Sequence, residues 1–186
     1  MFLVVIGAAF LMGVFIYIIL AYNSLVRLRN YIDKSWSNID VLLKQRNDEL
    51  PNLVETVRGY MKHEKKLLLG ITRARTALIK AETLDEKASA DEAISTGIKN
   101  LFAVVEGYPE LKANENFLKL QKRITGLENE IADRREFYNE SVTNYNIKTD
   151  TLPTAVIARI FRFEKRGWFK ASEEEKQNVK LDLDVE

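Results

Sequence analysis

The residues with chemical potential are few. His63-Glu64 opens like a zinc-protease motif, in which a second histidine four residues on completes the ligand pair and the glutamate acts as general base. Position 67 is Leu, so that pair cannot form. A carboxylate-bridged di-iron bundle needs Glu-x-x-His pairs on two helices, and His63 is the only histidine. With no cysteine in the chain, thiolate metal sites, a disulfide framework and a lipid-accepting thiol are excluded, and so are Cys-His nucleophiles. The glycines at 59, 70, 97, 107, 126 and 167 form no phosphate loop. Asp133 and Glu136 could do acid–base work as a carboxylate pair, but Arg134 and Arg135 lie between them and ion pairing accounts for them better. No enzyme is expected from this set, nor any metal or cofactor.

Two polar features are left. Arg46 and Glu64 occupy core-facing positions of a long apolar stripe. A buried charge costs several kcal/mol unless paired. Arg46 therefore either meets a carboxylate on a neighbouring helix or sits at an edge with its stem covered and its head wet. The second feature is the Tyr-Asn dipeptide at 22–23, 138–139 and 145–146. Tyr138-Asn139 and Tyr145-Asn146 are seven residues apart and share a helix face. Rings in the core, with amides satisfying nearby polar groups, are the expected roles.

Helices must position these residues. From Ile32 through Trp36, Ile39, Leu43, Arg46, Leu50, Leu53 and Val57 to Leu78, the stripe steps by four and three, with twelve of fourteen positions apolar. A 3.5-residue repeat of this length argues for coiled-coil-like packing. Pro51 lies in phase within it, so a kink that releases the Asn47 carbonyl is expected, in one helix reaching from Phe2 past Leu78. Thr83-x-x-Glu86 and Ser89-x-x-Glu92 are both candidate capping boxes for a second helix, closed by Gly107-Tyr108-Pro109. A third helix is expected over roughly 113–148 and a short fourth, opened by Pro153, over about 154–163. Short connections make neighbours antiparallel, which gives an all-α, up-and-down bundle.

Phe2 to Tyr22 is 21 residues without a charge, about 32 Å as a helix, against a hydrocarbon core of roughly 30 Å. Thirteen are Leu, Ile, Val or Phe, each favouring insertion by about 0.3–0.6 kcal/mol near the bilayer centre. Phe2, Phe10, Phe15 and Tyr22 are its candidate lipid-facing anchors. No basic side chain precedes the run, and a cut after Ala21 would put bulky Ile19 at −3, so a retained anchor is expected over a cleaved signal peptide. Ala9 and Gly13 form a small-xxx-small pair. Arg27, Arg29 and Lys34 follow the span, which by the positive-inside bias places the bundle in the cytoplasm, the alternative being extracytoplasmic. The resulting organisation is an anchor over 1–24, a bundle over 25–165 and an acidic tail over 166–186. In that tail Val179, Leu181, Leu183 and Val185 alternate with polar residues, the period of a half-buried strand. With no second strand in the sequence a disordered or loosely docked tail is expected, the alternative being a segment that adds to a partner's sheet edge. Lys+Arg number 28 against 27 Asp+Glu, mixed along the chain, which argues against nucleic acid as a partner.

Tyr22-Asn23-Ser24-Leu25-Val26, Gln45-Arg46-Asn47-Asp48-Glu49-Leu50-Pro51-Asn52-Leu53-Val54, Val57-Arg58-Gly59-Tyr60, the run from Tyr108 to Phe117, Glu128-Asn129-Glu130-Ile131-Ala132, Phe137-Tyr138-Asn139 and Tyr145-Asn146 together resemble the LemA family. The resemblance covers roughly residues 1 to 165. It implies a bacterial protein of the cell membrane, single-pass, with an antiparallel helical bundle and no established catalysis. Relatives are linked with a membrane zinc protease of envelope stress, and one branch with forming magnetosome membranes. The functional expectation is a membrane scaffold or adaptor acting by self-association on other membrane proteins or the bilayer. The alternative is a sensor or regulatory subunit engaging a membrane protease through Arg46, Asp48, Asn52 and the acidic tail.

Overall fold

In the computed structural model residues 1–170 are described, and every regular element among them is a helix. These are α1 (Phe2–Arg58), α2 (Lys65–Lys80), α3 (Leu84–Val105), the single turn α4 (Pro109–Lys112), α5 (Glu115–Asp150) and α6 (Thr154–Ile160). They fall into two compact units. The alternating Val179–Val185 segment lies outside the described residues.

The first unit comprises residues 1–37 and 136–168. Its α1 portion opens with an 18-residue window apolar enough to cross a membrane, none of it buried. Phe2, Phe10 and Phe15 are exposed there. Further along, Lys148 Nζ donates to Ser24 Oγ at 2.5 Å and the Trp36 and Tyr138 rings meet edge-on at 6.0 Å. Partner numbers fall on α5 as they rise on α1, so the two portions are antiparallel, as short connections require. The helix α6 ends in a Schellman cap. The Phe163 N–H reaches the Ala158 carbonyl at 2.8 Å and the Arg162 N–H the Arg159 carbonyl at 3.3 Å, with Arg162 in the left-handed region at φ 54°. Past that cap residues 163–168 form no regular element.

The second unit comprises residues 38–135 with 169–170. Here α1 runs through Pro51 without stopping. Proline cannot donate to the carbonyl four residues back, and that carbonyl, of Asn47, accepts instead from Arg75 Nε at 3.1 Å. The expectation of one helix past Leu78 is corrected: α1 ends at Arg58, and the segment from Gly59 to Glu64 links it to α2. Gly59 is a poor helix former, and after it Met61, not Tyr60, is buried. The apolar phase survived the break because both helices turn the same stripe toward one core, so periodicity alone was blind to the join. Glu64 stands at the start of α2, half-buried, rather than inside a helix.

Of the two candidate caps, Thr83 is the one used. Its Oγ1 accepts from the Glu86 N–H while Glu86 Oε2 accepts from the Thr83 N–H, a complete capping box at the head of α3. Ser89 falls inside that helix. Two backbone hydrogen bonds hold the Glu86 carboxyl below the ordinary glutamate range. The helices α2 and α3 then pack closely: a Cβ added at Gly97 would stand 2.9 Å from Ile71 Cγ1. Pro109 opens α4 as well as closing what precedes it. Asn114 Oδ1 accepts from the Phe117 N–H, which caps the start of α5.

Candidate functional site

Two polar constellations stand out, one in each unit. In the second unit Arg46 is fully buried, held in the core phase of α1 between Leu43 and Leu50. Its Nη2 reaches Asp91 Oδ1 of α3 at 2.6 Å, and its Nη1 reaches Glu128 Oε1 of α5 at 2.7 Å and Ser95 Oγ at 3.1 Å. The second oxygen of Asp91 accepts from Arg135 Nη1 at 3.1 Å, and the Arg135 guanidinium lies 5.0 Å over the Phe169 ring. One arginine thus ties three helices together. Of the two outcomes open to Arg46 from the sequence, the paired one is realised.

Asp91 is itself fully buried. Burial pushes its carboxyl above the usual range, against the pull of Arg46 and Arg135. Arg46 Nε and Asn47 Oδ1 have no hydrogen-bond partner among the described residues. Around this centre two more pairs link helices, Asp40–Lys87 and Glu49–Arg123, both at 2.7 Å. On α1 Asp48, Pro51 and Asn52 are exposed. Arg46 is therefore withheld from the surface, and the neighbours grouped with it from the sequence are not.

The second constellation is on α5 in the first unit. Tyr138, Tyr145 and Asn146 are buried and face the segment after α6. The Tyr138 hydroxyl donates to the Gly167 carbonyl at 3.1 Å and the Tyr145 hydroxyl to the Glu164 carbonyl at 3.0 Å. Asn146 makes a two-way contact with Arg166: its Nδ2 donates to the Arg166 carbonyl at 2.9 Å and its Oδ1 accepts from the Arg166 N–H at 3.0 Å. Burial raises the pKa of both tyrosines. The Trp168 indole N–H closes the set on Thr143 Oγ1 at 2.9 Å. Asn139 is half-buried, and Thr143 donates to its carbonyl. The third Tyr-Asn pair behaves differently: the Tyr22 ring packs against Phe161 at 4.9 Å and Phe163 at 5.6 Å.

Sequence reasoning missed Asp91, Ser95 and Glu128 as the partners of Arg46. Asp91 carried a usable signal. It keeps step with Ala88, Ile94, Ile98, Leu101 and Val105, all buried on α3, so a negative charge stood in core phase on one helix as a positive one did on another. Arg135 pairs with Asp91 and not, as its neighbours suggested, with Asp133 or Glu136, which are exposed. Every carboxylate oxygen of Asp91 is engaged by a guanidinium, and the tyrosines by main-chain carbonyls. Among the described residues no group of three or more His, Asp or Glu is placed to hold a metal ion.

Comparison with known proteins agrees with the strings read from the sequence. The LemA family model matches residues 35–183, starting after the Tyr22–Val26 string and reaching further toward the C-terminus than the resemblance did. Protein LemA of Metamycoplasma hominis is 28% identical over 161 residues, covering 84% of this chain and 72% of its own length. Magnetosome protein MamQ 2 of Paramagnetospirillum magneticum is 23% identical over 179 residues, and magnetosome protein MamQ of Magnetospirillum gryphiswaldense 21% over 178. Those matches cover 82% of this chain but 66% and 65% of the MamQ chains, so this chain spans just under two thirds of their length. With most of its length matched by the family model, from the Arg46 helix to beyond the segment held by α5, the chain belongs to the LemA family.

Proposed function

We propose that this protein is a membrane-anchored, non-catalytic scaffold or adaptor that organises membrane proteins or shapes the bilayer by self-association, with its bundle on the cytoplasmic side. The observation that carries the reading is the apolar window of α1, which the fold leaves unburied although the same helix supplies buried residues further on. An exposed apolar surface of that size needs a bilayer or a partner. The magnetosome proteins among the relatives support a role at membranes. Ala9 and Gly13 supply a close-approach face for a second copy, and nothing lies within 4 Å of a Cβ at Gly13. Native mass spectrometry of the intact chain in mild detergent tests the reading. Oligomers that disappear in the Gly13→Ile variant are expected. Monomers at every micromolar concentration would overturn it in favour of a regulatory subunit. That second reading draws on exposed Asp48 and Asn52 beside the open groove lined by Pro51, Val54, Ile71 and Arg75, and its partner would be a membrane protease.

A further inference from the structure

The span read as the anchor has a neighbour in the fold. Tyr17 lies inside the span read over Phe2–Tyr22, five residues and about 7.5 Å before its last residue, and its Oη stands 3.4 Å from Thr154 Oγ1 at the start of α6. At the other end of α6, Phe161 and Phe163 pack on the Tyr22 ring. The short helix is therefore laid alongside the last turns of the span, from inside its limit to its edge. One face of it, Thr154, Ile157 and Ala158, is buried. The other carries Val156 and Ile160 one helical turn apart, preceded by Leu152, and these are 53%, 67% and 72% exposed.

We propose that the turn and helix from Leu152 to Phe161 form a second membrane contact, with that apolar face seated at the boundary between hydrocarbon and anionic headgroups beside the exit of α1. This rests on the reading of α1 as an anchor. If Tyr17 is within the bilayer, the start of α6 level with it is too, so Val156 meets acyl chains and Ile160 lies at the boundary itself. The depth so fixed, up to about 7.5 Å inside the span's edge, is that of interfacial amphipathic helices, which bury their apolar face roughly 5–10 Å. Charge agrees. Residues 22–37 and 147–168 hold eight Lys or Arg against three Asp or Glu, and Arg159 and Arg162, both exposed, sit on or just past α6. Basic groups at that level attract anionic headgroups.

The chain has no cysteine, so single substitutions each carry one nitroxide. Val156→Cys and Ile160→Cys are the test positions, with Leu11→Cys in the span and Lys99→Cys on α3 as references. Each labelled chain is placed in nanodiscs of phosphatidylcholine with phosphatidylglycerol, and collisions with oxygen and with a water-soluble nickel chelate are measured. The expected result is an oxygen-to-nickel ratio at 156 and 160 several-fold above that at 99, and a depth shallower than at 11. Ratios equal to that at 99, with 11 deep, overturn the second contact and leave the anchor standing. Labels at 156 and 160 shielded from both reagents also overturn it, showing a protein surface over this face. A label at 11 in water removes the anchor and this inference together.

Discussion

At the scale of single residues the decisive one is Arg46. Removing it leaves Asp91 buried beside Glu128 with one cation, Arg135, to share. Breaking a buried pair by deleting one partner costs about 3–5 kcal/mol, so Arg46→Ala should lower the unfolding free energy of the detergent-solubilised chain by about 3 kcal/mol or more. A change within about 0.5 kcal/mol would contradict the buried pairing. The cost should depend on pH in a stated sense. Asp91 already binds its proton more tightly folded than unfolded, and losing Arg46 strengthens that. A raised folded pKa adds stability at low pH that is lost as pH rises through it. The Arg46→Ala deficit should therefore be full near neutrality and shrink as the medium is acidified toward the ordinary carboxylate range. Two glycines make a second residue-scale test. Gly97→Ala gains about 1 kcal/mol in helix propensity, but its methyl meets the branched Ile71 near the backbone, and overpacking costs about 1–3 kcal/mol. A net loss of about 1 kcal/mol is expected. Gly126→Ala on α5 meets nothing within 4 Å and should gain up to about 1 kcal/mol. Unfolding curves for the two, opposite in sign, check the close α2–α3 approach.

At the scale of elements, α6 is stopped by a residue poorly suited to its place. Left-handed backbone costs a side-chain-bearing residue about 1–2 kcal/mol, and glycine is its usual occupant. Arg162→Gly should raise stability by about 1 kcal/mol; destabilisation in a thermal melt would mean that the Arg162 side chain matters more than its backbone. What the sequence revealed about the elements depended on what periodicity can see. It found the apolar stripe, the Asn47 carbonyl that Pro51 releases, the Thr83 box as one of two candidates and the helix following Pro153. It joined α1 to α2, because a phase kept across a short link looks like one helix. It did not find the partners of Arg46, since a core-phase charge states a need without naming the helix that meets it. Nor did it find that Tyr138, Tyr145 and Asn146 grip the segment after α6: no local pattern near residues 164–167 shows which helix will hold it.

At the scale of the whole molecule, orientation across the membrane is the open quantity that charge can address. From the sequence the margin is Arg27, Arg29 and Lys34 alone. The first unit adds Lys148, Arg159, Arg162, Lys165 and Arg166 beside the same stretch of α1, so the cationic side of the anchor is richer than its flanking sequence. Protease added to intact cells should leave the bundle whole and digest it only after permeabilisation; digestion in intact cells would place it outside. The held segment carries a different consequence, for how this chain can change over evolutionary time. Tyr138, Tyr145 and Asn146 recognise main-chain groups at 164, 166 and 167, which every residue type presents alike. The segment's side chains, whose ion pairs Lys165–Asp150 and Arg166–Asp33 lie at the surface and are worth little, are then freer to drift than the three on α5. Only proline at 166, lacking the N–H that Asn146 binds, is barred outright, and relatives that keep the grip should vary at 164–167 far more than at 138, 145 and 146.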